Sequence, residues 1–237
     1  MKMNIFPFNY CVIDNFLDKK QADTLCDEFP DYEDGPWFNY DNPLENKRTC
    51  NHWEKFPPTT YSFFMQMLGR ESANRLGDLV GAESLSGDIG LHGGGWHIHR
   101  RGGKLNIHQD YSIHPKLGME RKVNLIIYLS RDWDAQWGGG LELWSHDHEN
   151  NKPKQCEVTI DCKFNRAVIF RTDQLSWHGL PTPIDCPEGV FRKSLALYYL
   201  SSPGTATSPR QRALFAPTPE QEGDSSIQSL IQSRQLL

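Results

Sequence analysis

Three residues able to share one ion stand out in this chain. His108 and Asp110 lie two apart in KLNIHQDYSIHPK, a stretch that reads as a strand. Side chains alternate faces along a strand, so residues two apart project the same way and their tips can converge on one point. The pair alone is a weak signal, because a solvated strand edge with an incidental His and Asp has the same letters. Downstream, SWHGLP sets His178 after a strand-like AVIF and a polar turn, ahead of a proline-rich loop where a side chain can face a cavity. Two imidazoles and one carboxylate form the facial set that nonhaem Fe(II) sites use, with three cis positions left open. Such an ion keeps a net charge of about +1, which attracts an anionic cosubstrate.

A partner for that anion is legible further on. In RKSLALYYL, strand parity puts Arg192, Ser194, Ala196 and Tyr198 on one face. A buried arginine is costly alone but gains a bidentate, charge-assisted pair when it meets a carboxylate. In KVNLIIYL the same parity groups Asn124, Ile126 and Tyr128, so Tyr128 could donate its hydroxyl to that carboxylate. Parity alone leaves a core tyrosine equally open. Two further imidazole pairs, His97 with His99 and His146 with His148, complete the inventory; HDHENNKP reads as a polar turn with solvated histidines.

The elements that must position these residues change character along the chain. Near the start, CVIDNFL reads as a strand, and Asp18 is placed to cap a helix through KKQADTLCDEF, stopped by Pro30. From Asp31 to Pro58 little periodicity is visible, while TTYSFFMQMLG and SANRLGDLVG carry apolar residues at helical spacing. After about Gly90, short alternating segments separated by turns take over: KLNIHQDY, KVNLIIYL, GLELWS, CEVTID, NRAVIF and RKSLALYYL. That texture predicts a mainly β fold, an antiparallel jelly roll, with supporting N-terminal helices. The expected layout is one domain over residues 1–237: a strand and helical support to residue 89, a jelly-roll core over 90–202, and a C-terminal tail over 203–237, mostly extended with a helix in SIQSLIQSRQLL. The candidate lids are GGWHIHRRGG and the loop from Asp31 to Trp53.

Composition narrows the partners. The 237 residues suit one substantial domain, and the formal charge of −5 comes without a basic run, so a nucleic-acid partner is not expected. The N-terminal stretch is interrupted by Asn4, Asn9 and Asp14 and reads neither as a signal peptide nor as a span, so no membrane partner is expected. Six scattered cysteines without a CxxC pair fit reduced thiols, which points to the cytoplasm. The oligomeric state is not legible.

HxD, a distal His and RxS on a strand-rich domain resemble the 2-oxoglutarate- and Fe(II)-dependent dioxygenases. More narrowly, NLIIYLSRDWDAQWGGGLELW is similar to the prolyl 4-hydroxylase-like branch, which includes the oxygen-sensing hydroxylases, and VIDNFL followed by a helix resembles the start of such domains. The resemblance covers about residues 90 to 200. It implies a double-stranded β-helix of cupin type, with His108, Asp110 and His178 as iron ligands, Arg192 as the residue pairing with the far carboxylate of 2-oxoglutarate, and Tyr128 and Ser194 beside it. It implies Fe(II), 2-oxoglutarate and O2, with ascorbate as an accessory reductant, and hydroxylation of an unactivated C–H bond with release of succinate and CO2. A peptide or protein prolyl residue is the expected substrate; a small metabolite or carbohydrate is the alternative. A noncatalytic metal-binding jelly roll is the rival of a different class, but it would need no anion clamp. Two departures stand out. The usual tyrosine about ten residues before His108 is replaced by Ile98, so either His97 or His99 takes over its contact, with His99 as the candidate, or the contact is lost. DCPEG lengthens the gap between His178 and Arg192. Tyr198 stands where nucleic-acid demethylases carry a second arginine, and Asp110 stands where radical halogenases carry a small residue, so both branches are disfavoured.

Overall fold

A computed structural model describes residues 3–235, which form four α-helices and thirteen strands joined in a single curled antiparallel sheet. The strands are β1 (Tyr10–Ile13), β2 (Phe38–Asn42), β3 (Glu45–Cys50), β4 (Ser86–Gly87), β5 (Gly95–His99), β6 (Lys104–Gln109), β7 (Glu120–Tyr128), β8 (Leu141–Asp147), β9 (Lys152–Ile160), β10 (Arg166–Arg171), β11 (Trp177–Leu180), β12 (Arg192–Ser201) and β13 (Leu214–Phe215). Their path runs β1-β10-β7-β12-β5-β3-β6-β11-β8-β9, with β13 on β6, β2 on β3 and β4 on β12. One half, centred on β7 and β12, faces the other, centred on β6 and β11, and β3 bridges them by pairing with both β5 and β6. This is the mainly β jelly roll that the change in periodicity predicts.

The helices α1 (Lys19–Asp27), α2 (Pro58–Met67) and α3 (Arg70–Val80) lie on the outside of the first half. Asp18 caps α1 as expected, its carboxylate accepting the Gln21 N–H at 2.9 Å. Val123, Leu125 and Ile127 of β7 share an apolar cluster with Leu195 and Leu197 of β12 and with Leu25, Phe64 and Leu76 of the helices. Each such side chain contributes roughly 1.5–3 kcal/mol when fully buried. The alternate residues of the same strands face inward: Tyr128 packs with Val168, Phe170 and Leu143 in a second cluster between the sheet halves. Parity thus assigns one face of β7 and β12 to the helices and the other to the interior, where chemistry can be placed.

Three expectations change. The segment from Asp31 to Pro58 contains the β2–β3 hairpin, not only a loop; it goes unseen in the sequence because both strands, FNYDN and ENKRTC, are polar and show no apolar alternation. GWHIH is an internal strand, with Trp96 and Ile98 at 1% and 0% exposure, so it cannot act as a lid. Residues after Ser201 are not only a surface tail: β13 pairs with β6, and α4 (Ser225–Gln235) packs over it through Ile227. Leu236 and Leu237, the end of the expected tail helix, lie outside the described residues. Five of the six cysteines are buried and free; Cys156 is exposed.

Candidate active site

His108 and His178 are directly opposed across the β6–β11 ladder, with ring centroids 4.4 Å apart. Asp110 follows immediately after β6. One ligand-type atom from each of the three residues lies within 4.8 Å of the others, a set that could hold a metal ion. The Nε2 atoms stand 3.6 Å (His108) and 3.4 Å (His178) from the Asp110 carboxylate. Both Nδ1 atoms face backbone carbonyls, Asn106 O at 3.0 Å and Ser176 O at 2.9 Å. A carbonyl only accepts, so each Nδ1 carries the proton and each Nε2 keeps its lone pair for the centre of the group. Burial lowers the pKa of His178 to about 4 against the pull of Asp110, so its imidazole is neutral near pH 7. Neutral imidazole is the form that ligates.

The carboxylate is held on its outer side. Burial alone would raise the Asp110 pKa, but Arg121, then His178 and His108, outweigh it and keep the group well below the usual range. Arg121 Nη2 lies 3.2 Å from Asp110 Oδ2, and Asn124 Nδ2 donates to the same oxygen at 2.7 Å. Arg121 Nε donates in turn to Asn124 Oδ1 at 2.8 Å, and its guanidinium lies 3.2 Å over the Tyr198 ring. The tail completes the frame: Arg210 Nη1 donates to the Asp110 carbonyl at 2.7 Å, and Phe215 stacks on the His108 ring at 5.2 Å. Arg121, Asn124, Arg210 and Phe215 carry no site role in the sequence reading. Asn124 shared the parity of Tyr128 and was the one available signal.

A second polar group lies on the inner face of β7, β12 and β5. Ser194 is in register with Tyr128 on one side and His97 on the other, and Arg192 is opposite His99. All but His97, which is half-buried, are at most 3% exposed. The Arg192 guanidinium lies 4.9 Å from the Tyr128 ring centroid, and its Nε donates to the Gly139 carbonyl at 2.6 Å. Gly139 has φ +75, and a Cβ there would come within 2.9 Å of Arg192 Cδ, so glycine is required at this position for both reasons. The lengthened loop before β12 therefore leaves Arg192 facing inward.

The chemistry of this buried group matches a carboxylate. The Tyr128 hydroxyl and both ring nitrogens of His99 are buried with no hydrogen-bond partner among the described residues. Buried polar groups in proteins are nearly always bonded, so three orphaned atoms around an arginine mark a place for a ligand that accepts and donates hydrogen bonds. Burial pushes the Tyr128 pKa up to about 12 despite Arg192, and burial with Arg192 holds His99 well below its ordinary value. Tyr128 is thus a neutral donor and His99 a neutral imidazole at pH 7. His97 differs, since its Nε2 already meets Gly93 O at 3.0 Å. His146, expected to be solvated, accepts a 2.9 Å bond from Trp177 Nε1 and is only half-exposed.

Residues 94–200 match the family model of the 2OG-Fe(II) oxygenase superfamily, a span that runs from β5 through nearly all of β12 and holds both groups. The resemblance read from HxD, the distal His and RxS is borne out: this part of the chain carries the superfamily's signature. A 58-residue stretch is 34% identical to prolyl 3-hydroxylase OGFOD1 of Mus musculus, taking in 24% of this chain and 10% of that protein's length. The fold is similar to the crystal structure of a prolyl-4-hydroxylase from Pseudomonas putida, with TM-score 0.57 and 15% identity over 82% of this chain and 93% of that one. It is similar as well to HygX from Streptomyces hygroscopicus, solved with nickel, 2-oxoglutarate and hygromycin B, with TM-score 0.54 and 14% identity over 81% and 82% of the two chains. At such identities the likeness establishes the jelly-roll fold. No helix among the described residues is long and apolar enough to cross a membrane.

Proposed function

We propose that this chain is an Fe(II)- and 2-oxoglutarate-dependent dioxygenase that hydroxylates a prolyl residue of a peptide or protein, with release of succinate and CO2. The observation that carries the reading is one inner face bearing both a three-residue candidate metal set and a buried arginine ringed by unpartnered polar atoms. His108, Asp110 and His178 would hold the iron, which supplies activation of dioxygen and its coupling to loss of CO2 from 2-oxoglutarate. Arg192 pairs with the far carboxylate of 2-oxoglutarate, while Tyr128 donates its hydroxyl and His99 and Ser194 flank the same oxygens. Arg121 and Asn124 hold Asp110 ionised and oriented, and the Nδ1 protons of both histidines fix their tautomers. The prolyl assignment draws on the likeness to a prolyl 3-hydroxylase over 58 residues and to a prolyl-4-hydroxylase in fold.

Release of labelled CO2 from 2-oxoglutarate by the Fe(II)-loaded protein tests the reaction class, and a +16 Da product in a peptide screen tests the substrate. His178→Ala is expected to abolish release while the far-UV circular dichroism spectrum is retained. Release at the parent rate would remove His178 from the metal set.

A further inference from the structure

A cavity of about 610 Å³ reaches His108 and Asp110 from the side of the β2–β3 hairpin and the C-terminal arm. Four cationic side chains line it, Lys47, Arg121, Arg212 and Arg234, against two carboxylates, Glu45 and Asp110. The chain as a whole has the opposite sign, with a formal charge of −5. Arg121 is matched by Asp110, and buried Glu45 is shared between Lys47, at 3.2 Å, and Arg234. One positive charge of the Lys47–Arg234 pair therefore stays uncompensated. Arg212 adds another, since its side chain makes no hydrogen bond or ion pair among the described residues and is exposed to the cavity mouth. A concave, cationic site on an acidic protein concentrates anions and steers them inward.

A second cavity, of about 370 Å³, shares Asp110, Tyr111 and Arg121 with the first as lining residues. Its lining is polar, with Ser112, Thr172, Gln174 and Thr207; Glu120 is paired with Lys122 at 2.7 Å and Arg121 with Asp110, which leaves the Asp173 carboxylate without a cation among the described residues. Two cavities thus border Asp110, one of them also lined by His108. Two neighbouring cavities of unlike charge suit an extended chain that reaches from one to the other better than a compact molecule. The charge of the two arms differs.

We propose that the substrate is an extended peptide segment with acidic residues on one side only of the residue presented to the candidate metal set, the acidic flank lying in the cavity of Lys47, Arg212 and Arg234. The proposal rests on the oxygenase reading and names the substrate class of that same site. Arg212 is its specificity-determining residue.

The test uses the full chain, immobilised and loaded with Ni(II) and 2-oxoglutarate, and a pool of proline-centred nonapeptides randomised on both flanks. Sequencing of the retained fraction should show Asp and Glu enriched at least fivefold over Lys and Arg on one flank and near parity on the other. Arg212→Glu, at an exposed position without side-chain bonds, should abolish that enrichment, while Lys154→Glu, on a different surface, should preserve it. No retained peptide, equal enrichment on both flanks, a basic preference, or undiminished enrichment in Arg212→Glu would each overturn the proposal. Uncoupled release of CO2 from 2-oxoglutarate by the Fe(II)-loaded protein, measured in parallel, separates the two levels: release without acid preference removes this inference alone, and absence of release removes the oxygenase reading beneath it.

Discussion

Arg121 and Arg192 stand on neighbouring strands, are both buried, and are treated in opposite ways. Arg121 is neutralised by the protein: Asp110 gives it a counter-charge, Asn124 an acceptor and Tyr198 a ring to stack on. Arg192 receives one backbone carbonyl and an aromatic face, and the polar atoms around it, Tyr128 Oη and the two nitrogens of His99, have no partner. A buried guanidinium cannot shed its proton, so its counter-charge must come from somewhere. The difference teaches that the fold supplies one arginine with its counter-charge and, among the described residues, leaves the other without one.

The comparison can be broken at its satisfied end first. Arg121→Met removes the countercharge of Asp110 and leaves that carboxylate buried, a loss of about 3–5 kcal/mol for a broken buried pair. Chemical denaturation of the metal-free protein should show it, and added divalent metal should narrow the gap, because a ligand bound only by the folded state stabilises it. At the unsatisfied end, Tyr128→Phe removes a hydroxyl that has no protein partner. Stability without 2-oxoglutarate should hold or rise, while affinity for 2-oxoglutarate falls by about 0.5–1.5 kcal/mol, roughly two- to tenfold. A large loss of stability in Tyr128→Phe would mean that the hydroxyl serves the fold. The smallest effect sharpens the contrast with an ordinary surface pair. Asp14 is held by Arg166 at 2.6 Å and Lys163 at 2.8 Å, and these bonds lower its pKa from 3.8 to about 2. A depressed folded-state pKa contributes stability that is present above the unfolded value and lost as pH falls through the folded one. Asp14→Asn should therefore cost under about 1 kcal/mol at pH 7 for so exposed a pair, and the cost should vanish between about pH 4 and pH 2.

How much of this was legible in the sequence follows from where parity holds. Along Asn124 to Tyr128 and Arg192 to Tyr198 the strands alternate without interruption, so counting by twos finds Tyr128, Arg192 and Ser194 on the inner face. The HxD pair and His178 needed only a strand end and a partner strand. Arg121 escaped because the β7–β12 register shifts between Tyr199 and Leu200, leaving Lys122 as the extra residue. One extra residue exchanges the faces, so Arg121 joins Asn124 on the inside against the count. The C-terminal arm escaped for a different reason. A two-residue strand has no measurable period, and Phe215 meets His108 across more than a hundred residues of chain, information that no local window contains. Lid assignment to GGWHIHRRGG failed because its aromatic and glycine-rich text resembles a loop, whereas Trp96 and Ile98 are among the most buried side chains.

The central claim is that Arg192 awaits the carboxylate of 2-oxoglutarate, and calorimetric titration of 2-oxoglutarate into the Ni(II)-loaded protein tests it directly. Arg192→Lys keeps the charge but loses the planar fork, so the Kd should rise at least tenfold, about 1.4 kcal/mol, with metal affinity little changed. Arg166→Lys, whose parent side chain is engaged by Asp14, should titrate like the parent. Parent-like affinity in Arg192→Lys, or loss of metal in place of loss of 2-oxoglutarate, would contradict the account.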